Sequence, residues 1–185
     1  MGIMAATKKK NRREVASRKN TSVDPTVAKQ SVAKPLPKKQ AVEQAKKGKT
    51  IRQVAAIPFR RGADGGIEVM LVTSRQTQRF IVPKGWPMPG KSGRKAATIE
   101  AEEEAGVIGK MLKQPAGSYS YWKRLTTSFA RVNVTVYLLA VSEELTNWPE
   151  ARTRQRAWLK AEDAATLIDE PELATLLKTL RVPIE

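Results

Sequence analysis

The chain has 185 residues, of which 34 are Lys or Arg and 18 are Asp or Glu, so its formal net charge is +16. This basic balance predicts anionic partners. The absence of both Cys and His excludes disulfides, thiolate zinc sites and imidazole bases, and leaves carboxylates as the main candidates for acid-base chemistry. Any metal site must therefore use oxygen ligands. Because the missing Cys fits a reducing compartment, we expect a cytoplasmic protein.

The excess charge is concentrated in residues 1–50, which hold 14 Lys or Arg and three acidic residues. Their few apolar residues follow no period and cannot offset the ordering entropy, so we predict a disordered extension. Such a tail attracts nucleic-acid phosphates weakly; a solvated extension and a transit peptide are the alternatives. Residues 51–185 are predicted to form one domain. No stretch approaches the roughly 20 apolar residues that span a bilayer, so we expect no membrane contact.

The pattern of apolar residues and chain breakers predicts alternating strands and helices after residue 50. GADGG marks a hairpin turn, and Gly106 is a helix-ending residue type. The order of elements predicts an α/β sandwich with a mixed sheet. The predicted elements are strands at 51–61, 67–75 and 79–85, a helix at 94–106, strands at 118–125 and 130–142, and helices at 157–169 and 171–181.

Three carboxylates lie together on the helix predicted at 94–106. Glu100, Glu103 and Glu104 are related by steps of three and four residues, so they share one helix face. Like charges at this spacing, at the C-terminal end of a helix, destabilise it unless a cation binds. Oxygen-only ligands suit Mg2+ or Mn2+, which take remaining ligands from water and substrate phosphate. A solvated acidic face is the alternative for such a run taken alone.

The segment GWPMPGKSGRKAATIEAEEEAGV, which starts at Gly85, resembles the Nudix box. That motif is Gly, five residues, Glu, seven residues, Arg-Glu-aliphatic-any-Glu-Glu-any-Gly-aliphatic. The resemblance implies that the three matched glutamates bind the metal and carry the catalysis. The matching positions are Gly85, Glu100, Glu103, Glu104, Gly106 and Val107.

Two positions depart from the box: Lys91 stands where the family has Glu, and Ile99 stands where it has Arg. In the family these two residues help to hold the loop and helix together and to orient the catalytic carboxylates. Their replacement is therefore expected to affect the reaction rate more than metal binding.

The resemblance extends over roughly residues 51–180 and is closest to the diphosphoinositol polyphosphate phosphohydrolase-like branch of the Nudix family. The stretches LVTSRQTQRFIVPKGWP, EELTNWPE and RQRAWLKAEDA carry it. Polyphosphates need several cationic donors, and Arg binds phosphate oxygens in pairs. The resemblance implies substrate phosphate contacts at Ser74, Arg75, Lys84, Gly85, and Arg154 or Arg156.

Together these features predict Mg2+-dependent hydrolysis of a phosphoanhydride in a nucleoside- or inositol-diphosphate-linked compound, of the diadenosine polyphosphate or diphosphoinositol polyphosphate type. Water is the expected nucleophile. Its base is predicted to be Glu100 or Glu103, or a later glutamate among Glu143, Glu144 and Glu150. The alternative is a catalytically impaired Nudix-fold module that binds a nucleotide or polyphosphate. The sequence leaves the oligomeric state open.

Overall fold

The structure is a computed structural model that describes residues 43, 47–48, 50–125 and 128–182. Almost all of the predicted N-terminal extension lies outside these described residues. Within the described residues, no helix combines the length and the apolar character needed to cross a membrane.

One mixed sheet organises the described part of the chain. Its central path runs in the order β3-β2-β1-β6-β5, while β4 pairs with β1, and β7 pairs with β2. β1 and β6 are parallel to each other, and the other pairs are antiparallel. The strands are β1 (Ile51–Arg61), β2 (Ile67–Thr73), β3 (Phe80–Ile81), β4 (Lys84–Gly85), β5 (Val107–Arg124), β6 (Phe129–Glu144) and β7 (Arg156–Lys160).

The hairpin predicted at the start of the domain is confirmed. β1 and β2 pair in antiparallel register, and the turn between them contains Gly65 with a φ of 77°. β1 is buried along most of its length, because it has neighbours on both sides in the sheet and helices above and below. This position explains why residues 54–59 of the strand are apolar without interruption.

The carboxylates lie where an α-helix changes into a wider turn. α1 spans Gly93–Glu100 and begins at Ser92, whose side chain accepts a hydrogen bond from the Lys95 N–H. Ala101–Ala105 continues it as a π-helical turn, which ends at Gly106 with a left-handed φ of 63°. Turns of this kind occur frequently at functional sites. The predicted end of the helix at Gly106 is confirmed.

Helices cover both faces of the sheet and bury two apolar clusters. α1 packs with one cluster through Ala96 and Ala97. The short helices α2 (Ala161–Thr166) and α3 (Pro171–Lys178) pack with the other, α3 through Leu173 and Leu177. The α/β sandwich with a mixed sheet is therefore confirmed.

Three predicted elements differ from the structure. The strand predicted at 79–85 is divided into β3, which pairs with β2, and β4, which pairs with β1. Residues 157–160 were predicted to be helical, but they belong to β7, which pairs with Glu68–Val72 of β2. The backbone of β2 gains a hydrogen-bonded neighbour there, and this tertiary pairing outweighs local helix propensity. β5 begins at Val107 rather than 118, because its first half also pairs with β6, with register shifts around Pro115.

Candidate metal and phosphate site

Gly85 and Glu100 approach each other too closely for any side chain at position 85. A Cβ atom built on Gly85 would lie 1.9 Å from a carboxylate oxygen of Glu100. β4 holds Gly85 in place by pairing with Val54 of β1. The sheet thus forms a floor on which the Glu100 carboxylate rests, and only glycine fits there.

Glu100 is a buried carboxylate without a bonded cation. It is 8% exposed, and no hydrogen bond or ion pair to its carboxylate occurs among the described residues. Burial raises its pKa to about 8, and Glu104, Glu103 and Glu150 add to the effect, while Arg154 opposes it. The position therefore favours either a proton or a bound cation on this carboxylate.

Glu104 is held by two donors. Its Oε2 atom accepts a hydrogen bond of 3.0 Å from the backbone N–H of Lys84, and its Oε1 atom is paired with the guanidinium of Arg154. Burial raises the pKa of Glu104, although Arg154 and the Lys84 N–H act in the opposite direction. The carboxylate is therefore oriented by fixed groups on two sides.

Arg154 is almost completely buried and uses all three of its nitrogen atoms. Besides Glu104 it binds the Glu150 carboxylate through Nε and the Thr73 carbonyl oxygen through Nη1 at 2.8 Å. Its side chain is only 4% exposed. It thus fastens the loop before β7 to the carboxylates, and its predicted contact with substrate phosphate stays a prediction.

Glu150 is the later glutamate that the structure brings to the site. Its backbone N–H donates to the Glu103 carbonyl oxygen at 3.2 Å. Burial raises the pKa of Glu103, and the charge of Glu150 raises it further. By contrast, Glu143 is exposed near the end of β6, and Glu144 accepts the indole N–H of Trp158 at 2.8 Å.

The predicted Ser-Arg segment forms a turn after β2. The Ser74 hydroxyl lies 2.7 Å from the Thr77 hydroxyl, and the Ser74 N–H donates to the Arg79 carbonyl oxygen at 2.8 Å. The side chain of Arg75 is 64% exposed and forms an ion pair of 3.4 Å with Glu150. Arg75 is therefore held at the edge of the carboxylates with much of its guanidinium open to solvent.

Lys84 adds a desolvated cation beside Gly85. Burial lowers its pKa to about 8, although Glu104 and Glu170 favour its charged form. Its ammonium nitrogen lies 6.0 Å from the centre of the Tyr121 ring. An anionic ligand that neutralised this ammonium would offset its desolvation.

Arg156 has a different environment from the one expected for a phosphate ligand. It donates to the carbonyl oxygens of Ala105 and Gly106 at 3.0 and 3.1 Å, and to that of Leu145 at 3.0 Å. Its guanidinium also lies over the Trp148 ring, 4.2 Å from the ring centre. These contacts satisfy the end of the π-helical turn, and a contact of Arg156 with substrate stays a prediction.

The two departures from the box also differ in environment. Lys91 is exposed, whereas Ile99 packs against the apolar cluster beneath α1. Arg154, which comes from a distant part of the sequence, supplies the guanidinium that holds Glu104.

The donor atoms of these residues decide whether they fit a divalent cation. Among the described residues, no three acidic side chains form a preformed metal-binding group. The donors are nevertheless all carboxylate oxygens, which Mg2+ and Mn2+ prefer, and Glu100 lacks a bonded cation. The carboxylates of Glu100, Glu103 and Glu104 therefore suit such an ion.

A family model described as the NUDIX domain matches residues 49–180. The chain therefore belongs to the NUDIX domain family. This result confirms the resemblance drawn from the box.

Curated relatives support the same family. Nudix hydrolase 18, mitochondrial, of Arabidopsis thaliana is 33% identical over 117 residues, which cover 60% of this chain and 65% of that protein. The diphosphoinositol polyphosphate phosphohydrolase 3-beta of Bos taurus is 32% identical over 136 residues, which cover 71% of this chain and 78% of that protein. This chain spans about half to two thirds of the length of the plant relatives that it matches.

Solved structures agree on the fold. The C. elegans Ap4A hydrolase in a binary complex aligns with a TM-score of 0.54 at 22% identity and covers 70% of this chain and 93% of that chain. The NUDIX domain of Shewanella oneidensis NrtR, complexed with ADP ribose, aligns with a TM-score of 0.54 at 14% identity and covers 77% of this chain and 97% of that chain.

Proposed function

We propose that this chain is a Mg2+- or Mn2+-dependent hydrolase that cleaves a phosphoanhydride bond in a nucleoside- or inositol-diphosphate-linked substrate. The observation that carries the proposal is the Glu100 carboxylate, which is buried on Gly85 without a bonded cation beside Glu103 and Glu104. A buried carboxylate without a bonded cation destabilises the folded state unless a ligand compensates its charge. A divalent cation would provide that compensation.

The metal would be held by Glu100, Glu103 and Glu104, where it would neutralise phosphate oxygens and acidify a bound water. The chain's own groups do the remaining work. Arg154 and the Lys84 N–H keep Glu104 in one orientation. Glu103 and Glu150 are the candidates to accept a proton from the attacking water, because both are less buried than Glu100.

The phosphate side of the site is formed by the turn after β2 and by β4. Arg75 offers an exposed guanidinium, and the desolvated Lys84 offers a second cationic donor. Ser74 and Gly85 stay proposed phosphate contacts from the resemblance, although the Glu100 carboxylate fills the space beside Gly85. We assign Arg154 and Arg156 to positioning instead, since their nitrogen atoms are already engaged by protein groups.

Relatives guide the choice of substrates for a test. One is named a diphosphoinositol polyphosphate phosphohydrolase, and a structure of similar fold is an Ap4A hydrolase. We therefore propose diphosphoinositol polyphosphates and diadenosine polyphosphates as the first compounds, and nucleoside diphosphate sugars as a third class.

A binding module without catalysis is the second candidate. Lys91 and Ile99 favour it, because both replace residues that help to orient the carboxylates in the family. The retained carboxylates count against it, since their mutual repulsion serves no purpose in a metal-free binder. A module that kept its metal site would bind the same ligands with Mg2+ and release no phosphate.

The decisive experiment combines turnover with metal-dependent melting. Phosphate release from the three substrate classes is measured with Mg2+, with Mn2+ and with EDTA, for the wild type, Glu103→Gln and the exposed control Glu102→Gln. We expect release that needs the metal, falls by at least about a hundredfold in Glu103→Gln, and is kept in Glu102→Gln. Mg2+ should also raise the melting temperature of the wild type more than that of Glu103→Gln. No release, together with metal-dependent ligand binding, would favour the module.

We further propose that residues 1–50 form an extension separate from the hydrolase domain and that the protein works in the cytoplasm. The start of the family match at residue 49 supports the first proposal. The absence of Cys supports the second proposal, although the relative from Arabidopsis thaliana is named Nudix hydrolase 18, mitochondrial.

A further inference from the structure

Two large aromatic side chains are exposed on the hairpin formed by β5 and β6. Trp122 is 69% exposed and Phe129 is 65% exposed. Trp122 pairs across the hairpin with Arg131, and Phe129 pairs with Arg124. Paired residues of neighbouring strands project from the same face of a sheet. The four side chains therefore alternate as ring and guanidinium on one surface.

A third arginine extends this surface to the next strand. Arg52 of β1 pairs with Asn133 of β6, and Asn133 pairs in turn with Ser120 of β5. That row adjoins the one that contains Trp122, and it projects from the same face. We call Arg52, Trp122, Arg124, Phe129 and Arg131 the aromatic-arginine patch.

No acidic side chain of the described residues compensates the charge of the patch. Within the described residues, Arg52, Arg124 and Arg131 form no ion pair. Glu172 reaches the outer edge of the hairpin, but its carboxylate accepts the Ser120 backbone N–H at 2.6 Å. Its helix, α3, packs on the opposite face of the sheet. The patch therefore favours an anionic occupant.

The arrangement of the rings selects among anionic occupants. Trp122 and Phe129 are diagonal neighbours, about 7–8 Å apart between Cα atoms, so each can hold a separate flat group. A membrane surface would favour rings gathered apart from the cations, whereas here they alternate. A second copy of this chain would bring a further charge of +16, which opposes self-association through an arginine surface.

We propose that the aromatic-arginine patch binds single-stranded nucleic acid, with bases stacked on Trp122 and Phe129 and phosphates against the three arginines. Stacking on exposed rings inside a cationic surface is how proteins bind single strands without reading their sequence. This site lies on the folded domain, so it is distinct from a diffuse attraction to the basic tail. It is also independent of the proposed hydrolase activity.

The patch lies on the same face of the sheet as α1. Gly93, at the start of α1, rests against Val54 and Tyr137, which are two residues from Arg52 on β1 and four from Asn133 on β6. A single-stranded nucleic acid bound on the patch would thus begin just beyond the N-terminal end of α1, the helix that carries the carboxylates.

Fluorescence anisotropy with labelled oligo(dT) and oligo(U) tests the proposal on the full chain. EDTA is present throughout, so that the metal site does not contribute. We expect Trp122→Ala and Phe129→Ala each to weaken binding about tenfold, and Trp122→Phe to keep most of it. Arg131→Gln should lower the slope of log affinity against log salt by about 0.7.

Matched controls come from exposed positions elsewhere on the domain. Leu167→Ala removes an apolar side chain that is 43% exposed, and Arg61→Gln removes an exposed arginine at the far end of β1. Both variants should bind like the wild type. Equal affinity of the patch variants and these controls would assign any binding to the tail and overturn the proposal. Preferential binding to anionic vesicles, or a dimer that Trp122→Ala dissociates, would overturn it as well.

Discussion

Replacing Glu100 by Gln should stabilise the metal-free protein at alkaline pH. The carboxyl group titrates near its ordinary value of 4.5 in the unfolded chain and near 8 in the folded one. Between these values the folded state holds a proton that the unfolded state has lost. The free energy of unfolding therefore falls as the pH rises from about 4.5 to about 8, and stays lowered above that. Gln fills the same space without acquiring a charge.

The size of the effect follows from the pKa of Glu100. One pKa unit corresponds to about 1.4 kcal/mol, so the change from 4.5 to about 8 sets an upper limit of about 5 kcal/mol. Local relaxation and water entry reduce such penalties, and we expect about 2–3 kcal/mol. For a domain of this size, each kcal/mol moves the melting temperature by about 3–4 °C. Glu100→Gln should thus melt about 6–12 °C above the wild type at about pH 9.

Thermal melts followed by circular dichroism in EDTA, at about pH 5 and about pH 9, measure this difference. The exposed variant Glu102→Gln controls for the loss of a charge from the same segment. At the lower pH we expect Glu100→Gln and the wild type to melt within a few degrees of each other. A Glu100→Gln gain that is the same at both pH values, or a loss at the higher one, would refute the account of a buried and uncompensated carboxylate. Excess Mg2+ should reverse the order by stabilising only the wild type.

Three further predictions concern other parts of the chain. Arg154→Met should lower the free energy of unfolding by about 3–5 kcal/mol, because it leaves Glu104 buried without its partner. Urea denaturation measures this change, and the control Arg75→Gln, at an exposed arginine, should lower the free energy of unfolding by less than about 1 kcal/mol. A chain that starts near Lys49 should keep its turnover of small substrates; folding with loss of turnover would place the tail in the active site. Lys91→Glu and Ile99→Arg should couple in turnover by about 0.5–3 kcal/mol, and strict additivity of the two changes would count against a rebuilt ion pair.

The sequence predicts the strands of the domain best where the residues fit the pattern of a strand and do not fit that of a helix. β1 and β6 carry long β-branched and apolar runs, so their nature is clear from composition. At 157–160 the apolar residues fit a helix equally well, and the backbone of β2 decides the outcome. The first half of β5 contains Gly, Lys, Gln and Pro, which weaken a strand signal, and only its pairing with β6 makes it a strand.

The candidate site is predicted in the same uneven way. Helical spacing brings Glu100, Glu103 and Glu104 together, since this depends only on local geometry. The burial of Glu100 on Gly85 depends on how β4 meets β1, and the role of Arg154 depends on a loop 50 residues further along the chain. The sequence contains the relevant segments, EELTNWPE and RQRAWLKAEDA, but no periodicity within them tells which arginine turns inward.

The parallel pairing of β1 with β6 has a consequence for how the domain folds. Ile51 pairs with Val132 and Phe59 with Ala140, so the middle of the sheet closes only when segments about 80 residues apart meet. Such long loops slow folding, whereas the hairpin of β5 and β6 can form locally. On a ribosome that adds about 5–20 residues per second, β1, with β2 beside it, waits roughly 4–16 seconds for its partner β6. During that interval their apolar faces are open to chaperones or to aggregation.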